Sequence, residues 1–153
     1  RPLLKKREYP PSVTAAPSNP GLKATWHEFK GNKCSEIEKA PVNGTYPVED
    51  VMIPKKVKGN IGLIIKGYFN APQDDIYTFA LLSDDGSTLT IDSEQIVDND
   101  GPHGPKEIVG QKALAKGYHP MELRYFDQNG GQLKLKVTGS DGKEIPFTHL
   151  YAH

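Results

Sequence analysis

The stretch YTFALLSDDGSTLTI at residues 77–91 decides the fold. Its first part alternates in such a way that Tyr77, Phe79 and Leu81 share one face of an extended chain. Two acidic residues and a glycine then interrupt the apolar sequence, and the alternation resumes with Leu89. This pattern predicts a strand, a tight junction and a second strand.

A period of two residues recurs along the chain and extends the strand prediction to other segments. These segments are Leu22 to Trp26, Ile61 to Phe69, His119 to Tyr125 and Leu133 to Val137. Fifteen glycines and thirteen prolines punctuate the sequence, as is typical of turns. The one helix candidate, Ser35 to Lys39, is too short to be stable by itself. The sequence therefore predicts an all-β fold, an antiparallel β-sandwich or barrel.

The first twenty residues differ from the rest of the chain. They contain five prolines and four basic residues against one acidic residue, a composition typical of a linker or of an arm on the protein surface. We therefore predict a Pro-rich linker or arm at residues 1–20 and one β-domain at residues 21–153. The arm either joins the domain to more polypeptide upstream or has no role of its own. Residues 40–58 carry three more prolines and are predicted to form a long surface connection.

The composition argues against several classes of function. Nineteen basic and nineteen acidic side chains give no net charge, so we expect no nucleic acid as a partner. No run of about 18 apolar residues is present, so we expect no membrane-spanning helix. A single cysteine, Cys34, excludes an internal disulfide bond and a cysteine-rich zinc site.

Nothing in the sequence indicates catalysis by this chain. A G-x-S-x-G nucleophile motif is absent, and the five histidines lack a metal-binding spacing such as H-E-x-x-H. Gly130 and Gly131 follow Asn129 and indicate a hairpin turn, not a phosphate-binding loop. The opposed carboxylates of a glycosidase are not excluded by sequence, but a domain of this length leaves little room for a deep substrate cleft.

Two groups of acidic residues lie at predicted turns. In the sequence DNDG at residues 98–101, the side chains are expected to bond their own backbone. A match to the EF-hand calcium loop fails there because Ile96 falls at its first ligand position. Asp84 and Asp85 are neighbours, and neighbouring residues of a strand point to opposite faces. They converge on one metal ion only if the backbone bends or their peptide bond is cis; the alternative is an ordinary turn.

Four blocks of sequence occur in the order and compact spacing of a known family. They are YTFALLSDDGS at residues 77–87, VDNDGPHG at 97–104, LAKGYHPM at 114–121 and GGQLKL at 130–135. Together they resemble the central pattern of the protective-antigen-type (PA-fourteen) domain. The resemblance covers about half of the chain, and the order of the blocks makes it more specific than any one of them.

The resemblance implies a β-sandwich module that is typically extracellular and linked to carbohydrate binding. In sugar-binding members of the family, two aspartates joined by a cis peptide hold a calcium ion that ligates two sugar hydroxyls. Asp84 and Asp85 match this pair. Asp127 falls where those members have an asparagine ligand, a change that keeps an oxygen but adds a charge. His103 and Asn129 are predicted to line the rim of the sugar site, because their loops lie close to it.

We therefore predict a noncatalytic, calcium-dependent carbohydrate-binding module that is secreted, periplasmic or on the cell surface. Its partners would be glycans and an upstream catalytic domain of the same polypeptide. The segment YPP at residues 9–11 resembles, more loosely, accessory regions of bacterial β-hexosaminidases, which implies a glycoside hydrolase as the parent protein. The alternative is an interdomain module that contacts protein and binds no sugar. Trp26 is the other residue suited to stacking on a sugar, although its place in a strand favours a core position.

Overall fold

The computed structural model describes residues 9–13, 19–128, 130–146 and 150–152. Within these ranges the chain forms twelve β-strands and one 3-10 helix, Cys34–Lys39. In chain order the strands are β1 (Asn19–Pro20), β2 (Leu22–Glu28), β3 (Val42–Val48), β4 (Ile61–Ala71), β5 (Asp75–Asp84), β6 (Ser87–Ile91), β7 (Glu94–Asn99), β8 (Lys106–Leu114), β9 (Gly117–Asp127), β10 (Gln132–Thr138), β11 (Glu144–Ile145) and β12 (Leu150–Ala152).

The strands form two sheets, and every described pairing is antiparallel. The larger sheet has eight strands along the order β1-β12-β4-β9-β6-β7, with β2 beside β4 and β3 beside β2. The smaller sheet has the order β11-β10-β5-β8. The prediction of an all-β antiparallel sandwich is confirmed. The chain passes from the smaller sheet to the larger one between β5 and β6, at the acidic sequence of residues 84–86.

The core lies between the sheets and follows the alternation in the sequence. Tyr77, Phe79 and Leu81 of β5 are fully buried, as are Leu89 and Ile91 of β6. Burial of such apolar side chains is the main force that holds a sandwich together, at roughly 1.5–3 kcal/mol for each one buried.

A smaller apolar cluster lies on the outer face of the larger sheet. The 3-10 helix packs there through Cys34 and Ile37 against Ile64 of β4 and Phe126 of β9, with Phe29 beside them. The short helix predicted from sequence thus exists, and it is stabilised by packing on the sheet. Among the described residues no helix is long and apolar enough to cross a membrane.

The prediction of a surface connection at residues 40–58 is wrong in part, because β3 lies within it. β3 pairs only with β2 and is therefore an edge strand. Of the side chains of β3 only Val48 is buried. Because neither face of the strand is buried along its length, its sequence lacks the alternation of apolar and polar residues that would predict a strand. Pro47 is tolerated because an edge strand has one side without a partner strand.

Residues 10 and 13 of the N-terminal arm contact the turn between β8 and β9 and the beginning of β9. The backbone oxygen of Pro10 accepts a hydrogen bond from the nitrogen of Ala115 at 3.0 Å, and the nitrogen of Val13 donates to the oxygen of Tyr118 at 2.9 Å. Residues 19 and 20 form β1, which pairs with β12. The remainder of the predicted arm lies outside the described residues, and the boundary at residue 20 stays a prediction.

Candidate metal centre

Three carboxylates come together where the chain crosses between the sheets. β5 ends at Asp84, β6 begins at Ser87, and the peptide bond between Asp84 and Asp85 is cis. Asp127 ends β9, which pairs with β6 so that Tyr125 lies opposite Ser87. One carboxylate oxygen from each of the three aspartates lies within 4.8 Å of those of the other two. The two neighbouring acids therefore converge, and Asp127 joins them.

The three aspartates differ in their access to solvent. Asp127 is only 4% exposed and lies deepest in the group. Asp84 and Asp85 are half-buried. The group therefore opens to solvent on the side of the loop that joins β5 to β6, and a ligand would approach from this side.

The carboxylate of Asp85 is oriented by backbone groups from two other loops. The nitrogen of His103 donates to Oδ1 at 3.1 Å, and the nitrogen of Gln128 donates to Oδ2 at 3.3 Å. A carboxylate oxygen can accept more than one bond. Both oxygens of Asp85 thus keep capacity for a cation while their direction is set by the protein.

Tyr125 supports the backbone of the same corner. Its side chain is fully buried, and its hydroxyl donates to the backbone oxygen of Asp84 at 2.6 Å. Burial raises the pKa of Tyr125, and the negative charges of Asp127, Asp84 and Asp85 raise it further. The phenol therefore stays protonated and remains a hydrogen-bond donor at any physiological pH.

Two glycines allow the loops around the acids to approach closely. A Cβ atom at Gly131 would lie 2.0 Å from the backbone oxygen of Asp84 and 2.9 Å from Cγ of Asp127. A Cβ atom at Gly86 would lie 2.7 Å from the backbone oxygen of Gly101. Any side chain at either position would push these loops apart, so the absence of a Cβ atom determines the shape of the site.

The donor set suits a hard divalent cation such as calcium. All three residues offer carboxylate oxygens, which calcium prefers, and no soft sulfur ligand is among them. Oxygens that share one calcium ion at about 2.3–2.6 Å are separated by no more than roughly 5 Å, and the three carboxylates meet this limit. Asp84, Asp85 and Asp127 are therefore the residues that would hold the metal.

The other predicted site residues are placed less directly. The backbone of His103 contacts Asp85, but the nitrogens of its ring lie 2.8 Å from the oxygen of Asn99 and 2.7 Å from that of Gly104. The ring is thus held by its own loop, and a role at the sugar rim stays a prediction. Asn129 lies outside the described residues. Trp26 packs against the main core.

The turn predicted for residues 98–101 is present only in part, because Asp98 and Asn99 end β7 and the chain bends after them. The predicted bonds from side chains to the backbone are present. Oδ1 of Asp98 accepts a hydrogen bond from the nitrogen of Asp100 at 3.2 Å, and Oδ1 of Asp100 accepts one from the nitrogen of Gly101 at 2.9 Å. Oδ1 of Asp100 also accepts from the nitrogen of Cys34 at 3.0 Å, which ties the turn to the 3-10 helix. These side chains are committed to the backbone.

Sequence reasoning did not identify the supporting roles of Tyr125 and Gly131. Tyr125 has the spacing of an ordinary core residue, and Gly131 lies where the sequence predicted a hairpin turn. That prediction is wrong, because β9 and β10 lie in different sheets and the loop with Gly130 and Gly131 crosses between them. The hydroxyl of Tyr125 acts on a residue 41 positions away in the sequence. No local pattern contains such a contact.

The two antiparallel sheets, with three carboxylates where the chain passes from one sheet to the other, place this protein in the class of β-sandwich modules with a candidate cation site. The PA14 domain model matches residues 18–147 of this chain. The chain therefore belongs to the PA14 domain family. A comparison with curated proteins finds no match.

Solved structures of this family and of larger proteins share the fold. A PA14 sugar-binding domain from an RTX adhesin is similar with a TM-score of 0.74 at 16% identity, over 89% of this chain and 100% of that one. An epithelial adhesin 9 A domain from Candida glabrata, in complex with Galb1-3GlcNAc, gives 0.65 at 13% identity, over 93% and 94%. A β-glucosidase from Kluyveromyces marxianus, in complex with glucose, gives 0.61 at 17% identity, over 78% of this chain and 16% of that one.

Proposed function

We propose that this chain is a noncatalytic carbohydrate-binding module whose sugar binds through a calcium ion held by Asp84, Asp85 and Asp127. The observation that carries this proposal is the convergence of the three carboxylates within 4.8 Å at a corner that is partly open to solvent. The fold adds support, because two structures with the same fold are described as a sugar-binding domain and as an adhesin in complex with a disaccharide.

Each residue of the site has a distinct part in binding. Asp127, the most buried of the three, would fix the depth of the metal, and the half-buried Asp84 and Asp85 would hold it from the solvent side. The backbone nitrogens of His103 and Gln128 keep the carboxylate of Asp85 in place. When bound, calcium supplies coordination positions beyond those that three carboxylates fill, and neighbouring hydroxyls of a sugar are suitable oxygen ligands.

We also propose that the module serves a larger extracellular protein, such as a glycoside hydrolase, with its catalytic domain upstream. The support is the similarity to a β-glucosidase in which the matched part is 16% of the chain. In this arrangement the module would keep the enzyme near its polymeric or cell-surface glycan while the chemistry takes place elsewhere. A weak site is sufficient for this purpose, because a tethered second contact raises the effective concentration of the substrate.

A glycan array probed in calcium and again in chelator tests the proposal. We expect retention on a subset of glycans in calcium, its loss in chelator, and its loss in the variants Asp84→Asn and Asp127→Ala, the second of which removes the ligand oxygens. Glu107→Gln, at an exposed acid of β8, is the matched control and should bind as the wild type does.

Two other outcomes would contradict the proposal in different ways. Sugar binding that is insensitive to chelator would place the sugar at another site and remove the role of calcium. No binding to any glycan, in calcium or without it, would instead favour the interdomain module that contacts protein.

A further inference from the structure

Two serines flank the acidic corner and meet beneath it. Ser83 and Ser87 are both fully buried, and their hydroxyl oxygens are 2.5 Å apart. Ser83 belongs to β5 in the smaller sheet, and Ser87 belongs to β6 in the larger one. The hydrogen bond between them therefore crosses the sandwich and closes the base of the loop that carries Asp84 and Asp85.

A buried asparagine joins the two sheets at the same level. Asn99 of β7 is 2% exposed and lies opposite Ser87 in the register of the larger sheet. Its Nδ2 donates across the interior to the backbone oxygen of Lys106 at 2.8 Å and to that of Leu81 at 3.2 Å. The same nitrogen lies 3.3 Å from Oγ of Ser83. Ser83 is thus held both by Ser87, at the other end of the loop, and by Asn99 of β7.

These contacts fix the distance between the end of β5 and the beginning of β6, which apolar packing alone would not fix. Hydrogen bonds are effective only over a narrow range of length and angle, whereas apolar contacts are non-directional and tolerate exchange for side chains of similar volume. The interior beneath the acids is polar, while the core next to it is built from apolar side chains such as Leu81 and Leu89. A buried polar pair is retained without large cost only when its partners satisfy each other.

We propose that Ser83 and Ser87 are positioning residues of the metal centre. Their hydroxyl pair fixes the two ends of the loop, so that Asp84 and Asp85 face Asp127 before any metal binds. The inference rests on the proposed function, because it concerns the same site. Calcium affinity would then also depend on the hydroxyls of Ser83 and Ser87, which are uncharged and contact neither the metal nor the sugar.

The double variant Ser83→Ala/Ser87→Ala tests this role, because it removes both partners together. No hydroxyl is left unpaired, and Nδ2 of Asn99 keeps its two backbone acceptors, so the fold should be affected little. We expect the melting temperature without metal to stay within about 3 °C of the wild type. In isothermal titration with calcium chloride alone, we expect the affinity to fall about tenfold. Each single variant should melt lower than the double variant, because it leaves one buried hydroxyl without its partner.

The matched control is Thr88→Val, and the outcomes separate the possible failures. Thr88 is buried in the same strand but faces the opposite side of the sheet from Ser87, so its loss should not change calcium affinity. Equal calcium affinity in the wild type and the double variant would overturn the positioning role and leave the proposed function intact. A wild type that shows no saturable calcium binding would overturn the proposed function and this inference with it.

Discussion

Replacement of Gly131 by alanine is expected to disrupt the candidate metal centre. The added Cβ atom would lie 2.0 Å from the backbone oxygen of Asp84, 2.6 Å from the hydroxyl oxygen of Tyr125 and 2.9 Å from Cγ of Asp127. Two of these atoms belong to the residues that would hold the metal, and the third supports them. The clash therefore acts on the site itself.

The size of the effect follows from these distances. Cβ atoms essentially never approach other heavy atoms within 3.0 Å, so the loop between β9 and β10 and the Asp84 backbone must separate by about 1 Å. Overpacking of this kind costs about 1–3 kcal/mol. At about 3 °C per kcal/mol for a domain of this size, the melting temperature should fall by about 3–9 °C. The same shift moves Asp84 away from Asp127, and we expect calcium affinity to fall at least tenfold, or about 1.4 kcal/mol.

Thermal melts without metal and calorimetric titration with calcium provide the assay. Gly104→Ala is the control, because a Cβ atom at that glycine of the neighbouring loop would have no heavy atom within 4 Å. It makes the same chemical change and should alter neither quantity. A Gly131→Ala protein that binds calcium as tightly as the Gly104→Ala protein would refute the close packing on which the site depends.

Two other predictions concern buried side chains, Tyr125 beside the candidate site and Cys34 in the cluster on the outer face of the larger sheet. Tyr125→Phe keeps the ring and removes the donor to the oxygen of Asp84, so calcium affinity should drop severalfold with a stability loss of about 1 kcal/mol; unchanged affinity by calorimetry would contradict the support assigned to this hydroxyl. For Cys34, burial and then the carboxylate of Asp100 raise the pKa of the thiol above its ordinary value of 9.0. The folded state thus keeps a proton that the unfolded state releases, so this contribution is complete below pH 9 and is lost as the pH rises above it. Urea unfolding at pH 8 and pH 10 should show a smaller loss of stability in Cys34→Ala than in the wild type, and equal losses would count against the raised pKa.

The sequence predicted best the strands that are buried on one face. In β5 and β9 the alternation of apolar residues is continuous, because one side of each strand faces the core. In β8 the side chains are mostly exposed or half-buried, and β3 is an exposed edge. Neither strand carries a periodic pattern of apolar residues, and for the residues of β3 the sequence predicts a connection. In this sequence a strand can therefore be predicted only where one of its faces is buried, because burial requires the alternation of apolar and polar residues.

The candidate site was predictable only in part, for a related reason. Asp84 and Asp85 could be predicted as site residues because they are neighbours in the sequence. Asp127 was predicted only through the family resemblance. Their meeting depends on the crossing between sheets and on the pairing of β6 with β9, which no local pattern contains. The supporting roles of the Tyr125 and Ser83 hydroxyls could not be predicted from the local sequence either, because they depend on hydrogen-bond partners that only the folded chain brings into contact.

A crystal structure determined in excess calcium, with and without a bound glycan, would show whether the three aspartates hold a metal ion that binds sugar. We expect one calcium ion within about 2.3–2.6 Å of oxygens from Asp84, Asp85 and Asp127. We also expect two sugar hydroxyls on the same ion in the glycan complex. Only water among the three carboxylates at saturating calcium, with the sugar bound elsewhere, would contradict the proposed calcium site.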